Sequence, residues 1–497
     1  MPALTPSPDL GQLRRQAKEL LRAARAGDPA ALARLEAPDA PRLHHAQRAL
    51  AREAGFRSWP ELVQYVEARQ SAAAERRARW FGWAIGNDRT GHRLAARALA
   101  DEPDLAAGDP WLACVAGDAA TVAAHLARDP DFPAARGRDE MTPLAAVARS
   151  RLIHEPAHTP GLRRIANLLL AAGADPNARW RDPDWPDEPL PILHAAAGLT
   201  HAPGMTALLL AHGADPNDGE SLYHSTEAET ADCTAALLAA GARVAGTNAL
   251  AHCLDRDNLA GLQLLLSRGA DAVEPGLLGH ALDRGRSLAH LRLLLAAGAD
   301  PRALPGGGAA LAERARALGR TDVLALLAEL GIVPPPADDM TGFVAACARA
   351  DEAAAGAIRA RVPDILARLT DEQLRLLPDL AALGNPAPVR AMIAQGWPLE
   401  TPTPEWGATA LNTALFKGDA AMVALLLDAG ADWRRLHGFG GNALGTLAFA
   451  STAGIIGDPA ARDWAGCAAA LLAHGVPPGA FAGLRYPPEV EALLATD

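Results

Sequence analysis

His154, Glu155 and His158 stand in HExxH spacing (HEPAH, residues 154–158). In that arrangement two imidazoles one helical turn apart bind zinc and the carboxylate activates a metal-bound water. The chemistry needs a continuous helix. Pro156 removes a backbone N–H and its ring clashes with the preceding turn, at a cost of about 3 kcal/mol, and Thr159-Pro160 adds a second break. An exposed loop is therefore expected, and a metal-dependent hydrolase built on these histidines is the weaker reading. GFGGNA (438–443) fits the loose GxGxxA dinucleotide pattern, which has meaning only between a strand and a helix. Its flanks, WRRLH and LGTLAFA, offer no strand, so a turn is expected. His252-Cys253, with Cys233 twenty residues earlier, suggests a metal site on paper. Neighbours on a helix point in different directions, however, so Cys253 reads as core and His252 as helix surface. Cys114, Cys233, Cys253, Cys347 and Cys467 are odd in number and widely spaced, which fits neither a disulfide framework nor a CxxC site. No catalytic, cofactor-binding or metal-ligating residue is assigned.

The elements that carry these residues follow from composition and repetition. At 497 residues the chain must split into several cores or grow by repeats. Hydrophobic residues make up 49% but aromatics only 4%, with Ala and Leu dominant, which suits thin, closely packed helices. Residues 1–80 hold 14 Lys/Arg against 9 Asp/Glu, and the remainder 33 against 49, giving the net charge of -11. An acidic body argues against nucleic acid as the main partner. The N-terminal stretch has no signal-peptide pattern and no apolar run approaches the roughly 18 residues of a membrane span, so a cytoplasmic protein is expected. Lys18 and Lys417 are its only lysines, a bias in keeping with a GC-rich bacterial genome.

The segment LLLAAGADPN (168–177) returns as LLLAHGADPN (208–217), LLAAGARV (237–244), LLLSRGADAV (264–273), LLLAAGADPR (293–302) and LLLDAGADWR (425–434). Gly173, Gly213, Gly241, Gly269 and Gly298 recur at supersecondary spacing. Each suits the left-handed residue that ends a helix. A second motif, best seen in MTPLAAVA (141–148), places Thr142 as a helix cap and Pro143 at the first helical position. PILHAAAG (191–198) and NALAHCLDRDN (248–258) are weaker copies.

TPL with the trailing LLLxxGADPN resembles the ankyrin repeat over roughly residues 110–478. The resemblance implies an all-α solenoid of stacked helix pairs with short β-turn fingers, and a structural hydrogen-bonding role for His194. LARDPDF, LLAELGIVP, MIAQGWPLE and LLAHGVPP replace the GADPN turn in degenerate units. Residues 10–70 do not fit the repeat; they read as short amphipathic helices, with Ser58 and Glu61 as a capping box and Phe56 and Trp59 as a small core. The stretch AQRALAREAGFRSWPELVQYVEAR resembles a helical leader seen in many bacterial ankyrin-repeat proteins. The expected division is a leader and cap at 1–75, a first array at 76–334, degenerate repeats or a hinge at 335–400, and C-terminal repeats with a cap at 401–497.

Such a stack implies a non-catalytic scaffold, monomeric, that binds unidentified proteins through a concave face and turn tips, with no cofactor, nucleic acid or membrane. Ten of the 21 aromatics are Trp, several of them in turns. Because Trp and Arg dominate binding hot spots, Arg179, Trp180, Arg181, Asp184 and Trp185 are the first candidates for contact, with Trp406 and Trp433.

Overall fold

The computed structural model describes residues 9–35, 41–86, 91–182, 185–228, 230–268, 274, 276–452 and 462–494. The repeated turn explains itself from its residues. After the helix Thr159–Ala171, Gly173 takes φ 92°, and the Ala174 N–H returns to the Leu169 carbonyl at 2.9 Å. This is the bond that satisfies a helix-end carbonyl when a left-handed residue reverses the chain. Ala214 to Leu209, Ala242 to Leu237 and Ala431 to Leu426 repeat it. So do Ile332 to Leu327, Trp397 to Met392 and Val476 to Leu471, in turns whose sequence had drifted from GADPN. Those three apolar residues are buried, as the motif's hydrophobic contact requires.

The Asp and Asn that follow have separate jobs. Asp175 and Asp215 each accept, through Oδ1, the N–H of the residue two positions on, at 2.9 Å. Asn177 reaches the next unit: its Nδ2 donates to the Gly213 carbonyl at 2.9 Å and its Oδ1 accepts the Asp215 N–H at 2.8 Å. Asn217 repeats the pair on the Gly241 carbonyl and the Arg243 N–H. In the later repeats Glu400 takes half of this role, accepting the Asp432 N–H at 2.8 Å.

Within a pair, a left-handed residue and a capping Asp or Asn join the two helices. Gly117-Asp118, Asp257-Asn258, Ala350-Asp351 and Gly418-Asp419 all have this form, with positive φ at the first residue. The second accepts an N–H three residues on, at 2.8 to 3.1 Å. Thr142 caps Pro143–Arg149 through the Ala145 N–H, as its sequence implies.

The chain falls into two compact units, Met1–Pro41 with His45–Leu277 and Arg292–Gly298, and Arg42–His44 with Leu278–Leu291 and Ala299–Asp497. In the first, Pro110–Ala116 packs on Pro143–Arg149, and Ala119–Leu126 packs on Thr159–Ala171, as two layers of one stack. In the second, Leu376–Ala382, Ala410–Lys417 and Ala443–Thr452 form one layer. Pro386–Ala394, Ala420–Asp428 and Trp464–Ala473 form the other. The fold is all-α, stacked helix pairs with turn fingers. Among the described residues the sheet is a two-stranded antiparallel hairpin, Arg179–Asp182 with Trp185–Pro191, formed by the insertion between Gly173 and Gly213.

Ahead of the repeats, Phe56 is buried against Tyr65 with ring centroids 5.2 Å apart, and Arg97 lies 4.2 Å over the Phe56 ring. Trp59 is only half-buried. Ser58 caps its helix through the Glu61 N–H, but the Glu61 carboxylate returns to the Arg57 N–H, one residue before the cap.

Candidate protein-interaction surface

The residues that suggested chemistry are not assembled for it. His154 closes a 3-10 turn, Arg151–His154, and Glu155 is extended. His158 precedes the helix Thr159–Ala171 and bonds the Ala116 carbonyl through Nδ1 at 2.8 Å. The two histidines therefore share no helix. Among the described residues no cluster of three or more His, Cys, Asp or Glu is placed to hold a metal. All five cysteines are buried, and burial pushes the thiols of Cys253, Cys347 and Cys467 up to about 12, where they are protonated and inert. His252 is buried rather than on the helix surface, stacked on Tyr223 at 3.9 Å and 3.3 Å from Glu227. His194, expected to form a structural hydrogen bond, instead buries Nδ1 without a partner and packs edge-on against His224 at 4.7 Å.

The hairpin candidates divide. Trp180 is 0% exposed, clamped beneath the Arg149 guanidinium at 3.9 Å while Arg149 faces Asp182 at 3.7 Å. This is a packing residue, whose burial a turn position in the sequence did not reveal. Arg179 is exposed, but its guanidinium bonds the carbonyls of Pro189 and Asp218. Arg181 pairs with Glu140 at 2.9 Å. Asp184 lies outside the described residues, and Trp185 opens the second strand.

Trp406 and Trp433 both lie in the second unit, Trp406 in the loop 403–408 and Trp433 at the start of the finger 433–442, and both are half-buried. The loop 403–408 closes on itself, with the Gly407 N–H donating to the Thr403 carbonyl at 3.0 Å. It then meets the 433–442 finger where the Gly438 N–H donates to the Trp406 carbonyl at 2.7 Å. A Cβ on Gly438 would stand 2.9 Å from that oxygen, and one on Gly441 would stand 2.7 Å from the His437 ring. The glycines of GFGGNA thus let two backbones and a ring approach, and Asn442 caps the following helix through the Leu444 and Gly445 N–H groups. The segment is a finger turn.

Aromatic side chains continue outward from this junction. Trp406 lies 5.2 Å from His437 and 5.6 Å from Phe416; Phe416 stacks at 6.5 Å on Phe449; His437 meets Phe439 at 6.1 Å. Phe439 is 81% exposed, Leu436 61% and Phe449 54%. An isolated apolar side chain on a surface is ordinary, whereas here Trp406, His437 and Phe416 are half-buried between exposed Phe439 and Phe449. Arg434, over the Trp433 ring at 4.3 Å, and Arg435 are exposed beside it. Phe416, Leu436, Phe439 and Phe449 were missed in the sequence because they come from two helices and a finger that only stacking brings together.

No family model matches the sequence, and no curated protein matches it. Among solved structures, the ankyrin repeat domain of human ASB11 is similar at 19% identity, over 46% of this chain and 98% of that one, with a TM-score of 0.22. A likeness this slight carries no argument, and the fold rests on the helix pairs and turns described above. Among the described residues no helix is long and apolar enough to cross a membrane.

Proposed function

We propose that the chain is a non-catalytic adaptor of the ankyrin-repeat kind, acting in the cytoplasm as a monomer. It binds partner proteins through the helix row and turn finger around Trp406, Phe416, Trp433, Leu436, Phe439 and Phe449. The observation that carries this reading is the row of ring contacts from Phe439 through His437, Trp406 and Phe416 to Phe449, half-buried along its middle and exposed at Phe439 and Phe449. Water contact over such a row is costly, and a partner that buries it gains about 25 cal/mol per Å2 of apolar surface covered. Arg434 and Arg435 at its edge favour a partner segment with carboxylates next to its apolar anchors. Arg179 and Arg181 of the hairpin form a lesser contact, since both already serve intramolecular bonds.

The test compares the intact protein with a Leu436→Ser/Phe439→Ser/Phe449→Ser variant in capture from the native cell, followed by direct titration of each captured protein. All three side chains are substantially exposed, so the variant is expected to melt within a few degrees of the parent. A partner bound by the parent and at least tenfold more weakly by the variant supports the reading. Equal affinity for both proteins rejects this surface.

A further inference from the structure

The basic excess at the start of the chain is concentrated on one face of one helix. Leu10–Arg25 buries Ala17, Leu20 and Ala24 against the helices Pro29–Leu35 and Trp59–Gln70. At 100° per residue, Arg14, Lys18, Arg22, Arg25 and Arg15 fall within an arc of about 100° on the opposite side. All five are exposed. Arg25 gives its Nε–H to the Pro41 carbonyl, and Arg15 stands 3.9 Å from Asp9. Arg14, Lys18 and Arg22 have no carboxylate partner among the described residues. Glu19 sits at the edge of the arc, beyond Arg15, and makes no ion pair with them.

We infer that this face docks an acidic polypeptide segment. Arg14, Lys18 and Arg22 repeat every four residues, about 6 Å apart along the axis. Carboxylates one turn apart on a helix, or two residues apart on an extended strand, repeat at nearly the same interval. Each of these cations then pairs with one carboxylate of the segment. The face extends only about 16 Å from Arg14 to Arg25. A long phosphate polymer would run beyond it, and the face carries no aromatic ring on which bases stack. A lipid surface would require exposed apolar residues at the same level, but the apolar side of this helix is turned into the leader.

Labelled poly-L-glutamate is titrated with the full chain at low and at physiological salt, alongside duplex DNA, single-stranded RNA and vesicles containing phosphatidylserine. The docking face predicts polyglutamate binding that weakens as salt rises and is at least tenfold weaker in Arg14→Gln/Lys18→Gln/Arg22→Gln. Arg14→Lys/Arg22→Lys, which keeps the charge, should stay within about threefold of the parent. The substituted side chains are exposed, and matching melting curves confirm that the fold is kept. No binding of polyglutamate, binding unchanged in the glutamine variant, or tighter binding of nucleic acid or vesicles overturns the proposal. None of these outcomes touches the aromatic surface of the second unit, which is measured separately.

Discussion

At the scale of single residues, burial rather than residue type decides which side chains act and which merely pack. Trp180 and Trp433 read alike in the sequence, each an indole in a turn beside arginines. The first is sealed under Arg149, and the second shares an open finger with Leu436 and Phe439. Removing Trp180 would therefore report on folding rather than binding. His194 shows the same effect on an ionisable group. Burial, reinforced by the neighbouring His224 and opposed by Glu227, with His201 and Arg149 also adding to the fall, lowers its pKa to about 3. Between about 3 and the ordinary histidine value of 6.5 the unfolded chain binds a proton there and the folded chain does not. Stability is thus fully present above pH 6.5 and falls by up to about 1.4 kcal/mol per pH unit below it. Urea unfolding between pH 7.5 and 5 should lose one proton's worth of pH dependence in His194→Leu; identical slopes in parent and variant would show that the folded chain protonates the imidazole as readily as the unfolded chain.

At the scale of the element, the repeat was legible because its turn chemistry is local. Gly for a left-handed backbone, Asp for the turn that follows, and Thr-Pro for a helix start are each set by residues within four positions of one another. What one repeat does to the next was not legible. The amide of Asn217 bonds both a carbonyl and an N–H some two dozen residues away, fixing the register between adjacent turns. Asn217→Ala removes both bonds at an exposed site and should cost about 1 to 2 kcal/mol in chemical denaturation. Asn217→Asp keeps the acceptor for the Arg243 N–H but loses the donor to Gly241, so it should fall between. A loss no greater than that of an ordinary surface substitution would reduce the Asn to a turn former. The hairpin 179–191 marks a second limit: the 40-residue step from Gly173 to Gly213, against 28 to 29 between the glycines that follow, marks an insertion, but its WRDPDWP composition gives no alternation from which to read strands.

At the scale of the whole molecule, charge and apolar surface act together. The formal charge of -11 keeps copies apart at neutral pH, and it vanishes near the sequence pI of about 5.8. Without that repulsion, Phe439, Leu436 and Phe449 are free to meet apolar surface on another copy. Turbidity at fixed protein concentration should therefore peak near pH 5.8, and the peak should be at least halved in Leu436→Ser/Phe439→Ser, which leaves the net charge unchanged. Lowered stability below pH 6.5 would also promote aggregation, but through exposure of core residues, and the serine substitutions would not relieve it. Circular dichroism on the clarified samples separates the two causes. Native-like helix content with turbidity that the variant relieves assigns association to the finger. Turbidity equal in both proteins assigns it to unfolding or to charge alone, and would show that Leu436 and Phe439 do not drive contact between copies.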